Sequence, residues 1–183
     1  MDVMTAARGE HRPDAAAAVQ VRPVQPGDGE GCARAWLDAA RYYVDMDPES
    51  FQVPAEAGLA EWFEDQHAKT SPDLLTLAAT VAGQVAGFVV AEFQPAMADG
   101  DRQLVKAAVL PRVYVGALVV ADRYRRAGVG TALMTAVEQW AADRGAAMVS
   151  LDTNLRSPLS VPFYEDRMGY FRHGVIFRKL LQP

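Results

Sequence analysis

Cysteine is almost absent from this sequence, and histidine is scarce. The chain of 183 residues contains one cysteine, Cys32, and three histidines. A lone cysteine excludes an internal disulfide, and scattered histidines without metal-ligand spacing predict no metal site. Cys32, Trp36 and Tyr43 recur at helical spacing on one apolar face, so we expect a buried core thiol. His67 and His173 lie among polar residues and are expected at the surface.

Dense basic tracts and long apolar runs are also missing. The chain has 18 basic and 23 acidic residues, and without a Lys/Arg tract we expect no nucleic-acid partner. No segment has the roughly 20 consecutive apolar residues of a membrane span, and the N-terminus lacks the apolar core of a signal peptide. We therefore expect a cytoplasmic protein without a membrane partner. Residues 1–18 are interpreted as a disordered leader and residues 19–183 as one domain.

The spacing of apolar residues predicts an α/β domain. Alternating or continuous apolar runs indicate strands, and apolar residues three and four apart indicate helices. In chain order these segments are a strand at 19–22, helices at 28–43 and 55–69, a hairpin at 75–93, a buried strand at 113–120, a helix at 128–144 with Gly145 as its C-cap, a strand at 148–151, a helical segment at 163–168 and two β runs within 170–181. Residues 94–111 are interpreted as a loop with a short element from about Leu104. This order predicts a mixed, mostly antiparallel central sheet flanked by helices in a single domain.

A short basic loop joins the buried strand to the long helix. Residues 125–130 read Arg-Arg-Ala-Gly-Val-Gly. A Gly-x-Gly turn that opens a helix presents free backbone N–H groups and the positive end of the helix dipole. Gly128 and Gly130 would let phosphate oxygens approach the backbone, and the loop arginines would supply positive charge. The loop therefore predicts a pyrophosphate site, with a tight strand-to-helix connection as the alternative interpretation.

Other nucleotide-binding motifs do not fit this loop. A dinucleotide fingerprint needs glycine or alanine where Leu133 stands. A P-loop needs Gly-Lys-Ser/Thr, which the sequence does not contain.

Two segments together resemble the GNAT superfamily of N-acetyltransferases. Residues 125–130 match its motif Arg/Gln-x-x-Gly-x-Gly/Ala, which follows a hydrophobic strand, and residues 163–170 resemble its Phe-Tyr-Glu-Lys-x-Gly-Phe segment. The resemblance covers roughly residues 113–170. It implies the GNAT fold and an acyl-CoA-dependent N-acyltransferase that moves an acetyl group from acetyl-CoA to a primary amine by direct attack, with another acyl-CoA as the alternative donor and without a metal. The acceptor would be a small-molecule or protein amine, and a homodimer formed through the late strands fits the fold.

The resemblance also implies which residues bind the cofactor. The strand before the motif would offer backbone groups to the pantetheine arm and the thioester, and the motif would bind the pyrophosphate. The implied residues are Leu118, Val119, Val120, Arg125, Arg126, Ala127, Gly128, Val129, Gly130 and Thr131. Many relatives carry Asn-x-x-Ala before Phe-Tyr, but here Ser157 and Ser160 stand at the matching positions. Asn154, just upstream, is the expected substitute, with a simple turn residue as the alternative.

The resemblance further places a proton donor at Tyr164, next to the cofactor sulfur, although an aromatic that only packs the helix on the sheet would look the same. The oxyanion is assigned to the backbone N–H of Val120 or a neighbour. No carboxylate or histidine lies between residues 113 and 120, so the general base is open, with Glu92 and Asp152 as candidates acting through water.

Two other functional classes remain open. A catalytically silent acyl-CoA sensor would keep the phosphate-binding loop without an efficient base. A protein-interaction module would use exposed Trp36, Trp62 and Phe63, although these aromatics fit core positions better.

Overall fold

Five strands form one sheet in the order in which they occur in the chain. The structure is a computed structural model that describes residues 18–179, so the expected leader lies outside the described residues except for its last residue. β1 (Gln20–Pro23), β2 (Leu74–Val81), β3 (Gln84–Gln94) and β4 (Arg112–Val120) are antiparallel neighbours, and β5 (Met148–Leu151) runs parallel to β4. The predicted mixed, mostly antiparallel sheet is confirmed.

The hairpin between β2 and β3 turns on two residues. Ala82 has φ 50° and Gly83 has φ 75°, and positive φ at both central positions is the geometry that matches the twist of the flanking strands. The predicted hairpin is therefore confirmed, with Gln84 as the first residue of its second strand.

Helices cover both faces of the sheet. α1 (Gly29–Met46) and α2 (Leu59–His67) pack on the face that carries Phe88 and Val119, and α3 (Val129–Asp143) packs on the face that carries Val89 and Val113. α2 is shorter than the predicted 55–69, because Gly58 takes a left-handed φ of 78° and the helix begins only after it. None of the helices in the described range 18–179 is long and apolar enough to cross a membrane.

Glycines end two of the helical segments. Gly145 has φ 71° and donates to the Ala142 carbonyl, while Ala146 N–H donates to the Ala141 carbonyl, which is the predicted C-cap of α3. α4 (Ser160–Pro162) continues into a single π-helical turn, Phe163–Arg167, and Gly169 with φ 76° ends it. The predicted helical segment is confirmed.

The prediction of two β runs within 170–181 is wrong for the described residues 170–179, which contain no strand. A strand needs a partner that pairs with its backbone, and this segment has none in the described chain. The start of this segment is instead bound to α3 and to the π turn by side chains. Tyr170 OH donates to Glu138 Oε1 of α3 (3.0 Å), and Arg172 Nη2 donates to Glu165 Oε2 (2.8 Å). Residues 95–111 form the predicted loop, which is one residue shorter than predicted because Gln94 still belongs to β3, and it contains two short 3-10 turns.

Two side-chain predictions have opposite outcomes. Cys32 is completely buried, and burial raises the pKa of its thiol to about 12, so it is a core residue as predicted. His67 was expected at the surface, but its Nδ1 is buried without a hydrogen-bond partner and burial lowers its pKa. The ring lies 5.9 Å from that of Phe63, because the last turn of α2 packs against the aromatic core.

The N-terminus of α1 is capped from α2. Glu64 Oε1 accepts hydrogen bonds from the backbone N–H groups of Gly27 (3.0 Å) and Gly29 (2.6 Å). The helices approach closely here, since a Cβ on Gly29 would lie 2.5 Å from the Ala60 carbonyl oxygen. Asp28, between the two glycines, forms an ion pair with Arg22 of β1. These contacts join both helices to the sheet.

We predict that Glu64→Ala lowers the free energy of unfolding by about 1–2 kcal/mol, because two helix-terminal N–H groups lose their acceptor. Urea denaturation measures the change. Glu61→Ala, an exposed position on the same helix, is the control and is expected to change stability by less than about 0.5 kcal/mol. Equal effects of the two substitutions would contradict the capping role.

Candidate active site

A β-bulge divides β4 into two halves. Val115 pairs with Ala91 and Ala117 pairs with Val90, so Gly116 has no partner on β3. On the other side, the pairing with β5 ends at Val115 and Leu151. Beyond Gly116, β4 is therefore paired along one edge only, and every second residue of that stretch points its N–H and C=O toward the open edge.

The bulge also exchanges the two faces of the strand. Val113 and Val115 belong to the core under α3, whereas Val119 belongs to the core under α1 and α2. Without an extra residue, these three side chains would share one face, because side chains alternate along a strand. Leu118 and Val120 consequently face α3, and their backbone lies along the open edge.

The loop after β4 connects the open edge of this strand to the N-terminus of α3. A 3-10 turn (Asp122–Tyr124) follows β4, then Arg126 and Gly128 take positive φ values of 64° and 83°. The first intrahelical hydrogen bond of α3 is donated by Ala132 N–H to the Gly128 carbonyl, so the preceding N–H groups have no partner within the helix. Positive φ at a non-glycine residue stores strain that is typical of functional turns.

The two motif glycines have different environments. Nothing lies within 4 Å of the position of a Cβ on Gly128, which is exposed, so an anion can approach the backbone there. A Cβ on Gly130 would lie 3.3 Å from Phe163 Cζ and 3.8 Å from Val120 Cγ2. Gly130 therefore lets the π turn pack closely on α3 and β4, a packing role that the motif alone does not reveal.

The three loop arginines are not equivalent. Arg125 Nη1 donates to Asp122 Oδ1 (2.7 Å), and its guanidinium lies 5.2 Å from the ring of Tyr42. Arg123 donates to Gln84 Oε1 (2.8 Å). Arg126 is exposed and forms no side-chain hydrogen bond or ion pair within residues 18–179. Arg126 is therefore the arginine best placed to bind an incoming anion.

Tyr164 lies in the π turn and is partly buried against the core under α3. Its ring packs against those of Phe163 (5.1 Å) and Tyr170 (5.9 Å). Burial, with a smaller effect of the nearby Tyr43, raises the pKa of its phenol above the ordinary value of 10. The phenol is therefore protonated at neutral pH and can donate a hydrogen bond.

A hydroxyl network connects α1 to the turn that begins α4. Tyr42 OH lies 3.0 Å from Ser157 Oγ, Tyr43 OH lies 3.2 Å from Ser160 Oγ, and the two serine hydroxyls are 3.0 Å apart. Ser157 is 1% exposed and also accepts the Ser160 N–H, which caps α4. These bonds place the C-terminal half of α1 beside Tyr164.

Asn154 is engaged within the protein. Its side-chain N–H donates to Asp47 Oδ2 (3.3 Å), and its Oδ1 accepts the Arg156 N–H (2.9 Å). Asp47 also pairs with the Arg156 guanidinium (2.8 Å), and that hydrogen bond lowers the pKa of the carboxyl. These contacts favour the turn-residue interpretation of Asn154.

The two candidate bases flank one tyrosine. Glu92 of β3 is directly opposite Tyr114 of β4, and Tyr114 OH donates to Asp152 Oδ2 (3.0 Å) after the end of β5. Both carboxylates are exposed. Burial, followed by the hydrogen bond to Asp152, raises the pKa of the Tyr114 phenol. All three groups lie at the level of the half of β4 that precedes the bulge.

Sequence reasoning missed the bulge and the contacts between distant segments. The single glycine inside an apolar strand, Gly116, was an available signal. The network from Tyr42 to Ser157 had no such signal, because its members are 115 residues apart. The same holds for Asp38 on α1, whose Oδ2 accepts the Asp122 N–H (3.0 Å) and so holds the β4–α3 loop. Residues 18–179 contain no cluster of potential ligands that could hold a metal ion.

A sequence model of the family described as "Acetyltransferase (GNAT) family" matches residues 33–170. None of the curated protein sequences matches this chain.

Solved structures share the fold. A transcriptional regulator from Bacillus halodurans is 17% identical with a TM-score of 0.66, and the match covers 88% of this chain and 100% of that one. The aminoglycoside N-acetyltransferase AAC(6')-Iy in complex with CoA is 19% identical with a TM-score of 0.58 and coverages of 91% and 97%. An aminoglycoside acetyltransferase from an uncultured soil metagenomic sample, in complex with sisomicin, is 15% identical with a TM-score of 0.56 and coverages of 90% and 97%. At these identities the likeness shows the fold alone.

Proposed function

The chain belongs to the acetyltransferase (GNAT) family, and on that premise we propose that it transfers an acetyl group from acetyl-CoA to a primary amine. The family and the acetyltransferase fold are shown by the match over residues 33–170 and by the solved structures. The acyl donor, the amine and the residues that act are the proposal. We also propose that the protein is cytoplasmic.

One observation carries this proposal: the open edge of β4 runs directly into the unpaired N–H groups at the start of α3. The edge offers alternating donors and acceptors over Leu118–Val120, which suits the amides of a pantetheine arm. The turn at Gly128 and the exposed Arg126 suit a pyrophosphate. The two sites adjoin along the chain, as an elongated ligand with an anionic end requires.

In the proposed binding mode, the backbone N–H groups from Gly128 to Thr131 bind the pyrophosphate and Arg126 pairs with it. Arg125, Ala127 and Val129 shape this turn; Arg125 acts through its ion pair with Asp122. Gly130 brings the π turn against the loop. Asn154 is left out of the binding mode because both of its side-chain polar groups already have partners.

Acyl transfer requires a neutral amine. A lysine-like amine with a pKa near 10.4 is mostly protonated at pH 7, and presenting it neutral costs about 4.6 kcal/mol. Glu92 and Asp152 lie on either side of Tyr114, where either can accept that proton through a water molecule. The amine nitrogen then bonds to the acyl carbon, the carbon–sulfur bond breaks, and the thiolate leaves.

Two groups are assigned to the charges that develop. The backbone N–H of Val120 or a neighbour on the open edge stabilises the oxyanion. The Tyr164 phenol donates to the departing sulfur. Because burial raises the pKa of Tyr164, an isolated proton transfer from its phenol to the thiolate is uphill. We therefore assign Tyr164 first to a hydrogen bond with the sulfur; the proton that it then gives the thiolate is replaced by the one that the attacking nitrogen loses as the amide forms.

We also propose a homodimer that buries the C-terminal segment. Four large apolar side chains are strongly exposed there: Phe171 (83%), Val175 (73%), Ile176 (64%) and Phe177 (92%). β5 has no strand on its outer side in the described chain, and all four of its residues are only half buried. A second copy of the segment would cover this edge.

Sedimentation velocity tests the dimer. We expect the wild-type protein to sediment as a dimer at micromolar concentration and Phe177→Asp to sediment as a monomer. Leu104→Asp, at a fully exposed apolar position in the 95–111 loop, is the control and should remain dimeric. A monomeric wild-type protein would reject the dimer and leave the proposed activity untouched.

We predict that Gly128→Leu weakens the binding of acetyl-CoA at least tenfold, because a side chain there blocks the approach of phosphate to the turn. The matched control is Gly145→Leu at the other end of α3, where φ is also positive and space is also open, so both variants carry the same backbone strain. Isothermal titration measures both dissociation constants. Equal losses would assign the effect to helix stability and contradict the phosphate site.

We predict that Tyr164→Phe lowers kcat on the order of 100-fold and leaves the dissociation constant of acetyl-CoA unchanged. As the pH increases, the wild-type rate should rise because the amine loses its proton. The rate should show no decrease at any pH up to 10, because the raised pKa keeps Tyr164 protonated over that range. Steady-state kinetics from pH 6 to 10 test both statements. Full turnover in the variant would remove Tyr164 from the chemistry, and wild-type binding without any turnover would favour an acyl-CoA sensor.

A further inference from the structure

An apolar cavity opens between α1, α2 and the segment that precedes α2. Its volume is about 370 Å³, within the range of small-molecule sites. The indoles of Trp36 and Trp62 form two of its walls, and small or aliphatic residues complete the lining: Pro54, Ala55, Ala57 and Leu59. None of the cavity-lining side chains carries a charge.

Trp62 is the unusual residue of this cavity. The sequence favoured a core position for it, but its side chain is 49% exposed, whereas its neighbour Phe63 is 5% exposed. α2 turns Phe63 into the core against Phe88 (5.3 Å between ring centroids), and this turns the adjacent residue toward the surface. A large apolar side chain left half exposed beside an open cavity gains free energy when a ligand covers it.

α1 links the cavity to the proposed reaction site. Trp36 and Tyr43 are seven residues apart, on the same side of α1, which separates them by about 10 Å along the helix axis. Tyr43 bonds to Ser160 beside Tyr164, and its ring stacks on that of Phe51 (4.8 Å). The loop from α1 to α2 therefore runs from the Tyr164 region to the wall of the cavity.

Charged side chains line a second cavity beside the first. That second cavity, of about 260 Å³, is lined by Arg34, Asp38, Arg41, Glu56 and Arg123. Glu56 lines the second cavity, while Ala55 and Ala57 on either side of it line the apolar one. The Trp36–Trp62 cavity has no carboxylate among its lining side chains to pair with a polycationic acceptor, whereas its two indoles can contact an aryl or alkyl group.

We propose that the Trp36–Trp62 cavity receives the apolar part of the acceptor, so that the preferred substrates are primary amines with an aromatic or bulky alkyl group at the far end of a chain of about 10 Å, which is the axial separation of Trp36 from Tyr43. This inference rests on the proposed amine acetylation and names the acceptor class. On this account the apolar group contacts the indoles, and the chain extends along α1 so that the amine lies near Tyr43 and the Tyr164 turn. Polycationic amines such as aminoglycosides are poor acceptors on this account.

The test compares two primary amines of equal chain length, 6-phenylhexylamine and 6-amino-1-hexanol, with a polycationic aminoglycoside as the third acceptor. We expect kcat/KM for the phenyl compound to exceed that of the others at least about tenfold. Trp62→Ala should abolish most of this preference, and Trp62→Phe should restore it. Trp140→Ala is the matched control, because it removes an indole from α3 on the opposite face of the sheet and should leave the preference unchanged.

Binding of 6-phenylhexylamine, followed by titration calorimetry without the acyl donor, separates the two claims. Trp62-dependent binding without acetylation of any amine would overturn the proposed activity and support the cavity as an amine-binding site. Acetylation of the hydroxyl compound or the aminoglycoside at the same rate, insensitive to Trp62→Ala, would overturn the acceptor class and leave the activity standing. Absence of binding by the phenyl compound at millimolar concentration would also overturn the inference.

Discussion

The bulge at Gly116 is the constraint on which the site depends. The pairing of β4 with β5 ends directly before the bulge, at Val115, and the bulge exchanges the faces of the strand, so β4 has a half paired on both edges and a half that is open on one edge. The half paired on both edges completes the sheet core. The open half leaves backbone donors and acceptors free over Leu118–Val120, where a regular strand would have bonded them to a neighbour.

The helices position the surroundings of this open edge. α1 is fixed at its N-terminus by Glu64 and Arg22, and its C-terminal half bonds to Ser157 and Ser160 at the start of α4. Asp38, midway along α1, holds the loop after β4. A single long helix thus links the loop proposed to bind phosphate, the Tyr164 turn and the cavity proposed for the acceptor, and the capping of its N-terminus bears on all three.

The sequence predicted those parts of the fold that local patterns determine. Apolar periodicity located α3, β5 and the β2–β3 hairpin, and glycines marked the ends of α3 and of the π turn. The β runs within 170–179 failed because strand propensity cannot show whether a partner exists. The predictions that Trp62 lies in the core and that His67 lies at the surface were wrong for a related reason, since the orientation of α2 is set by tertiary packing: Trp62 is half exposed and His67 is partly buried. The Gly-x-Gly loop was recognised, but only the structure separates Gly128, open to solvent, from Gly130, packed against Phe163.

The central claim is that acetyl-CoA binds along the open edge of β4 and against the N-terminus of α3. A titration of 15N-labelled protein with acetyl-CoA, followed in 1H–15N correlation spectra, tests this claim residue by residue. The account predicts the largest shifts at the amides of Leu118–Val120 and Gly128–Thr131, and small shifts on β1 and β2. Saturable binding that leaves both segments unshifted, or no binding at millimolar concentration, would contradict it.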